Sequence, residues 1–162
     1  MSPKAHIDRT HELAEAVFSN VLNGRETSRL DEYYAADCRF YGMTGAEAID
    51  IEEYASFLEI YFEAFPDLIF ELDEIVAEDG TVATRWTATG THEGPLMDIA
   101  PTGESVSVSG MSFQHIEDGK ITAVYSNQDM LGLLRQLDAI PDSPGKVVRL
   151  LVGQMRSRLS NR

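Results

Sequence analysis

The first part of the chain carries apolar residues at three- and four-residue spacing, which is the pattern of amphipathic helices. Residues 5–23 form one such stripe, and residues 46–65 form a second, which Pro66 ends. A shorter helix is predicted around residues 28–35, followed by a brief extended segment and a turn. The pattern therefore predicts that the N-terminal part of the fold is mostly helical.

After Pro66 the apolar period changes to the alternation that is typical of β-strands. Four alternating segments are separated by two Asp-Gly turns and by one loop rich in proline and glycine: 68–77, 81–92, 105–116 and 121–128. A short helix is predicted to follow at DMLGLLRQLDAI. Because strands joined by hairpins are antiparallel and the helices precede them, the order favours an α+β fold.

The charge of the chain narrows the classes of function. The 27 acidic residues outnumber the 13 lysines and arginines, for a net charge of −14. A chain this acidic should repel nucleic acid and anionic membranes, so we expect neither as a partner. The acidity fits either an ordinary soluble surface or adaptation to high salt. With the single cysteine, Cys38, and no apolar signal segment, we expect a cytoplasmic location.

The basic residues are unevenly distributed. Residues 143–162 hold five of them and no acid, whereas residues 1–142 hold all the acidic residues. We interpret residues 1–142 as one domain and residues 143–162 as a basic helical extension. Such an extension would bind a membrane surface or pack on the acidic body of this subunit or a partner subunit, and the excess of acid favours packing.

No common catalytic motif is present: the sequence lacks the glycine-rich nucleotide loops, the zinc-protease motif and any cysteine pair. We therefore expect no metal and no cofactor. Strand alternation places polar side chains on three otherwise apolar faces, which is typical of a ligand pocket. The candidate pocket residues are Trp86, Ser112, Gln114, Tyr125 and Asn127.

Asp129 has two interpretations. It stands directly before an apolar helical run, where aspartate is a favoured N-cap. Continued alternation in the last strand would also place it on one face with Ile121, Ala123, Tyr125 and Asn127, at the end of a strand that lines the pocket. A carboxylate in such a partly apolar site is suited to proton transfer.

Five segments follow one another in the second half of the chain: FPDL (65–68), VATRWTATGTHEGPL (82–96), APTGESVSVSG (100–110), IEDGKI (116–121) and DMLGLLRQL (129–137). Together they resemble the SnoaL-like polyketide cyclases, over roughly residues 5–138. The resemblance implies a cone-shaped α+β barrel of the ketosteroid isomerase type. In that fold the N-terminal helices pack in the concavity of a curved mixed or antiparallel sheet.

The resemblance also implies a reaction. Cyclases of this family close a polyketide ester by an intramolecular aldol step without a cofactor, with an aspartate at the position of Asp129 as the acid/base. His92 matches the pocket histidine, and Tyr41 stands where the first strand often has a histidine. Many members carry Glu, Trp and Asp in the last strand, where this chain has Ala123, Tyr125 and Ser126.

We therefore expect a homodimeric enzyme that binds a small apolar carbonyl compound. Its carboxylate would remove a proton next to the carbonyl, and hydrogen bonds would stabilise the enolate. An isomerase, a dehydratase or an epoxide hydrolase on the same fold is the first alternative. A non-catalytic module that binds a small ligand or dimerises is the second.

Overall fold

The structure is a computed structural model, and it describes residues 3–43, 45 and 47–140. The proposed basic extension, residues 143–162, lies outside the described residues. No helix in the described part of the chain is long and apolar enough to cross a membrane.

The helices match the apolar stripes of the sequence. Helix α1 runs directly into a π-helical segment, and a short 3-10 turn precedes α2. Helix α3 begins later than predicted because Asp50 caps it: the Asp50 carboxylate accepts hydrogen bonds from the amides of Glu52 and Glu53, and the Glu53 side chain bonds back to the Asp50 amide. The bounds are Pro3–Ala16 (α1), Val17–Asn23 (π-helix), Thr27–Arg29 (3-10), Leu30–Tyr33 (α2), Ile51–Ala64 (α3) and Met130–Gln136 (α4).

Five strands form one mixed sheet of order β1-β5-β4-β3-β2. Strands β2 to β5 are antiparallel neighbours joined in sequence, and β1 pairs in parallel with β5. The strands are Tyr34–Tyr41 (β1), Ile69–Glu78 (β2), Thr81–Thr91 (β3), Ser105–Glu117 (β4) and Lys120–Gln128 (β5). This arrangement confirms the predicted α+β fold with helices on a curved sheet.

One face of the sheet is covered by the helices and forms the core. Along β3 the buried positions are Val82, Thr84, Trp86 and Ala88, and β4 alternates without interruption. The π-helical segment and α3 contribute buried apolar side chains opposite this face. The inward face therefore carries both the core and any enclosed site.

Strand β5 contains a bulge that changes which side chains face inward. His115 of β4 pairs with Ala123, but Ile116 pairs with Ile121, so Thr122 is an extra residue on β5. The Thr122 hydroxyl donates a hydrogen bond to the His115 carbonyl, 3.3 Å away. After the bulge the alternation is shifted by one residue.

The predicted inward face of β5 is therefore wrong beyond the bulge. The buried residues are Val124 and Ser126, whereas Tyr125 and Asn127 are exposed. The error comes from extending a strict two-residue period through a strand that has one residue too many.

The end of the π-helical segment is fixed to the edge strand β2. The Asn23 side chain donates to the Phe70 carbonyl at 2.9 Å and accepts from the Phe70 amide at 2.8 Å. Strand β2 lies at the edge of the sheet, so one side of its backbone has no neighbouring strand. The two bonds satisfy the amide and the carbonyl of Phe70 on that side. They hold the π-helical segment over the inward face of the sheet.

Candidate functional site

A partly open cavity lies between the inward face of the sheet, the π-helical segment and α3. It has two adjoining lobes of about 70 Å³ and about 40 Å³. Most of its wall is aromatic or aliphatic, as is usual for a small-molecule site. Both lobes are bounded by the same five residues, Tyr61, Leu68, Phe70, Trp86 and Gln128.

A chain of hydrogen bonds crosses the sheet wall of the larger lobe. The Trp86 indole N–H donates to the Ser112 hydroxyl at 3.2 Å, and the Ser112 and Ser126 hydroxyls lie 3.0 Å apart. The Ser126 hydroxyl donates to the Met111 carbonyl at 3.4 Å. With Ser112 as the donor to Ser126, the N–H and both hydroxyl hydrogens of this hydrogen-bond series are all donated to protein atoms.

Two polar atoms of the cavity wall have no hydrogen-bond partner among the described protein groups: the Tyr61 hydroxyl and the Gln114 Oε1. Burying such a group unpaired costs about 1–3 kcal/mol. Burial raises the pKa of Tyr61, and the Gln128 side chain, placed as a donor towards the phenol oxygen, lowers it. The two groups do not reach hydrogen-bonding geometry, and the Tyr61 O–H hydrogen itself is not donated to any described group. The Tyr61 phenol is therefore a neutral hydrogen-bond donor at physiological pH.

The part of the cavity wall that the structure describes is uncharged. Neither lobe has an acidic residue, a basic residue or a histidine among its described lining residues. Its titratable groups are tyrosines, and burial raises the pKa of Tyr54 to about 12 and holds that of Tyr34 well above its ordinary value. Ser126 stands in the last strand where many members of the family that the sequence resembles carry an aspartate, which is a different position from Asp129.

The structure brings together three of the predicted pocket residues, Trp86, Ser112 and Gln114. The other three are not on the cavity wall. Tyr125 and Asn127 are exposed on the opposite face of the sheet, and Tyr41 stacks on Tyr125 with ring centroids 4.5 Å apart. The predicted placement of Tyr125 and Asn127 in the pocket is wrong because the bulge turns this part of β5 over. Tyr41, on β1, is paired with Tyr125 and lies on the same outward face.

Asp129 lies in the chain between two residues of the cavity wall and caps α4. Its Oδ1 accepts a hydrogen bond from the Gly132 amide at 2.8 Å, and the residue is exposed. Its neighbours Gln128 and Met130 both line the smaller lobe. The expected partly apolar environment for the carboxylate is absent in this conformation, and the acid/base role stays a prediction.

His92 is fully buried at the end of β3, away from the cavity wall. Its Nδ1 accepts from the Thr102 amide at 3.2 Å and lies 3.0 Å from the Thr102 hydroxyl, while its Nε2 has no partner among the described groups. Gly110 pairs with Trp86 on one side and with Gln128 on the other, so Gln128 is level with Trp86. From that level Asp129 lies one residue further along the strand direction and His92 lies six, a separation of about five residues, roughly 17 Å. The two predicted catalytic residues do not meet.

The wider comparison agrees with this fold. A family model described as SnoaL-like polyketide cyclase matches residues 12–137. The chain belongs to this family. No curated protein matches the sequence.

Several solved structures have the same architecture. AclR of Streptomyces galilaeus, described as a candidate hydroxylase, is 27% identical, with 96% of each chain covered and a TM-score of 0.76. TsrD of Streptomyces laurentii is also 27% identical, with 82% of this chain and 97% of TsrD covered and a TM-score of 0.72. A candidate SnoaL-like polyketide cyclase from Jannaschia sp. CCS1 is 22% identical, with coverages of 87% and 98% and a TM-score of 0.76.

The cavity residues of this SnoaL-like chain that the sequence-based prediction missed include Tyr61, Ser126 and Gln128. For β5 a signal existed, because Ile121 and Val124 are spaced by three residues, which an uninterrupted strand does not bury together. Tyr61 belongs to the apolar stripe of α3, and a helix stripe looks the same whether it faces a core or a cavity.

No group of three acidic, histidine or cysteine side chains in the described part of the chain is arranged to hold a metal ion. Cys38 is buried, and burial raises the pKa of its thiol to about 12. The residues available to a ligand in this SnoaL-like cavity are thus neutral hydroxyls, amides and aromatic rings.

Protonation of His92 should destabilise the fold, because burial lowers its pKa from the ordinary value of 6.5. A lowered folded-state pKa means that the unfolded chain binds the proton more tightly. The free energy of unfolding should therefore fall as the pH drops below about 6.5 and level off below the folded-state pKa. Urea unfolding between about pH 8 and about pH 5 measures this dependence.

The matched variants are His92→Asn, which keeps an acceptor near the Nδ1 position, and His115→Asn, which changes an exposed histidine. The acid-dependent loss should shrink in His92→Asn and persist in His115→Asn. An unchanged loss in His92→Asn would contradict this assignment.

Proposed function

We propose that this SnoaL-like protein binds a small, neutral and largely apolar carbonyl compound in the cavity. The carbonyl oxygen would accept a hydrogen bond from the Tyr61 hydroxyl. The observation that carries the proposal is this hydroxyl, buried on the wall of both lobes without a partner. The apolar wall suits the carbon skeleton of such a ligand.

The size of the cavity supports a small compound. Its two adjoining lobes, about 70 Å³ and about 40 Å³, are together of the same order as the roughly 150 Å³ of an apolar protein cavity that binds benzene. A ketone of a few carbons is the appropriate scale. A multi-ring polyketide would require α3 or the π-helical segment to move away from the sheet.

The chemistry supported by this arrangement is enolisation. A hydrogen bond from Tyr61 to the carbonyl oxygen would stabilise the enolate that forms when a neighbouring C–H bond loses its proton. We propose Asp129 as the base, because its neighbours Gln128 and Met130 line the cavity. Its carboxylate would leave the Gly132 amide to take the proton, and the enolate carbon would then be reprotonated or attack a second carbonyl.

Binding can be measured through Trp86, which is the only tryptophan and lines both lobes. Titration with 2-pentanone should shift its single indole N–H signal in ¹H–¹⁵N NMR spectra. Tyr61→Phe removes the proposed donor and should weaken binding by about tenfold, the usual worth of one hydrogen bond.

Tyr33→Phe is the control, because Tyr33 is buried outside the cavity wall and its hydroxyl accepts from Asn20. Equal affinity in Tyr61→Phe and the wild type would remove the proposed role of the hydroxyl. The absence of any shift in the wild type would refute ketone binding altogether.

The role of Asp129 can be tested by the exchange of the ketone's α-hydrogens for deuterium in D₂O. Asp129→Asn should slow protein-catalysed exchange by a factor of about a hundred or more, because it removes the base. The melting temperature should change little, since asparagine caps a helix about as well as aspartate.

If Asp129→Asn keeps the wild-type exchange rate, Asp129 is not the base and serves only as the N-cap of α4. Exchange no faster with the wild-type protein than in buffer would favour the non-catalytic binding module.

We also propose a homodimer through the outward face of the sheet. Met111, Phe113 and Tyr125 are 59%, 55% and 45% exposed there, and Phe113 and Tyr125 are paired across β4 and β5. Phe113, Tyr125 and Tyr41, which stacks on Tyr125, form an aromatic row, and Met111 lies on the same face. Such a row can pack against the same row of a second subunit about a twofold axis, so we propose a second copy of this chain as the partner on this face.

Sedimentation equilibrium tests the dimer. The wild-type protein should have twice the chain mass, and Phe113→Glu should have the mass of one chain because a charge cannot be buried unpaired in an apolar interface. Ile60→Glu, which places the same charge at an exposed position on α3, should remain dimeric. A monomeric wild type, or a dimeric Phe113→Glu, would exclude this interface.

A further inference from the structure

Gln114 is a second unsatisfied group on the cavity wall, distinct from Tyr61. It is 4% exposed, lies on β4 two residues beyond Ser112, and is paired across the sheet with Val124. Its Oε1 has no hydrogen-bond partner among the described groups. An amide oxygen is only an acceptor, so it requires a donor.

The neighbouring hydroxyls do not supply that donor. The Trp86 N–H is directed at Ser112, and the Ser112 and Ser126 hydroxyls complete the chain that ends at the Met111 carbonyl. With Ser112 as the donor to Ser126, all the hydrogens of this chain are engaged. The buried Thr84 hydroxyl on the neighbouring strand makes no hydrogen bond to the Gln114 oxygen. The natural donor for the Gln114 oxygen is therefore a group on the molecule that fills the cavity.

Tyr61 and Gln114 present complementary groups from two different walls. Tyr61 is on α3 and offers a donor, whereas Gln114 is on β4 and offers an acceptor. A ligand that satisfies both carries an acceptor and a donor on one short apolar skeleton. Among the described residues no cationic side chain lines the cavity, so a carboxylate or phosphate there would meet no counter-charge from them.

We propose that the ligand is a neutral hydroxyketone, with its carbonyl oxygen bonded to Tyr61 and its hydroxyl donating to the Gln114 Oε1. This inference rests on the proposed binding of a carbonyl compound and adds the second functional group. Gln114 thereby selects hydroxyketones over simple ketones, because a methyl group in place of the hydroxyl leaves the amide oxygen unpaired.

Two ligands of matched size test the selection: 4-hydroxy-2-butanone, and 2-pentanone, in which a methyl group replaces the hydroxyl. The shift of the Trp86 indole signal gives both dissociation constants. The wild-type protein should bind the hydroxyketone about tenfold more tightly. Gln114→Met has a side chain of similar length without the acceptor, and it should lose this preference.

The outcomes separate the two proposals. If neither compound shifts the indole signal of the wild type, binding of carbonyl compounds itself is refuted. If 2-pentanone binds the wild type as tightly as the hydroxyketone, hydroxyl selection is overturned while ketone binding stands. A preference that persists in folded Gln114→Met also overturns the role of Gln114. The wild-type comparison decides the hydroxyl question even where the variant does not fold.

Discussion

The extra residue at Thr122 determines what the cavity contains. A strand exposes alternate side chains on its two faces, so one inserted residue exchanges the faces of everything that follows. Here the bulge turns Ser126 and Gln128 inward and places Tyr125 and Asn127 outside. The hydrogen bond from the Thr122 hydroxyl to the His115 carbonyl lies at the bulge itself. The inward positions of Ser126 and Gln128 and the outward position of Tyr125 in the aromatic row follow from this single irregularity.

The result is a cavity that works through neutral hydrogen bonds. An unpaired carboxylate among these aromatic walls would be costly. The nearest candidate, Asp129, is instead the N-cap of α4, where the Gly132 amide and the positive end of the helix stabilise its charge. Proton transfer by Asp129 would therefore require it to leave a favourable site. Polarisation of a ligand oxygen by Tyr61 requires no such rearrangement, since the Tyr61 hydroxyl already lies on the wall without a partner.

The sequence predicted the fold well because its elements are strongly periodic. The stripes of α1 and α3 and the alternation of β3 and β4 agree with the structure, as do the inward positions of Trp86, Ser112 and Gln114. The predicted face of β5 is wrong because a bulge depends on cross-strand register, which local alternation does not encode. The sequence does not single out Tyr61, because an aromatic residue in a helix stripe looks the same beside a core or a cavity. Both interpretations of Asp129 are compatible with the sequence, and the structure shows its helix-capping bond.

Intermolecular NOEs from bound 2-pentanone would locate the ligand directly within the fold. Contacts to the Tyr61 ring and to the Val124 methyl groups are expected, because both residues line the larger lobe. Contacts to the rings of Tyr125 or Tyr41, with none to Tyr61, would place the ligand on the outward face of the sheet. That result would contradict a neutral cavity built by the bulge as the functional site of this protein.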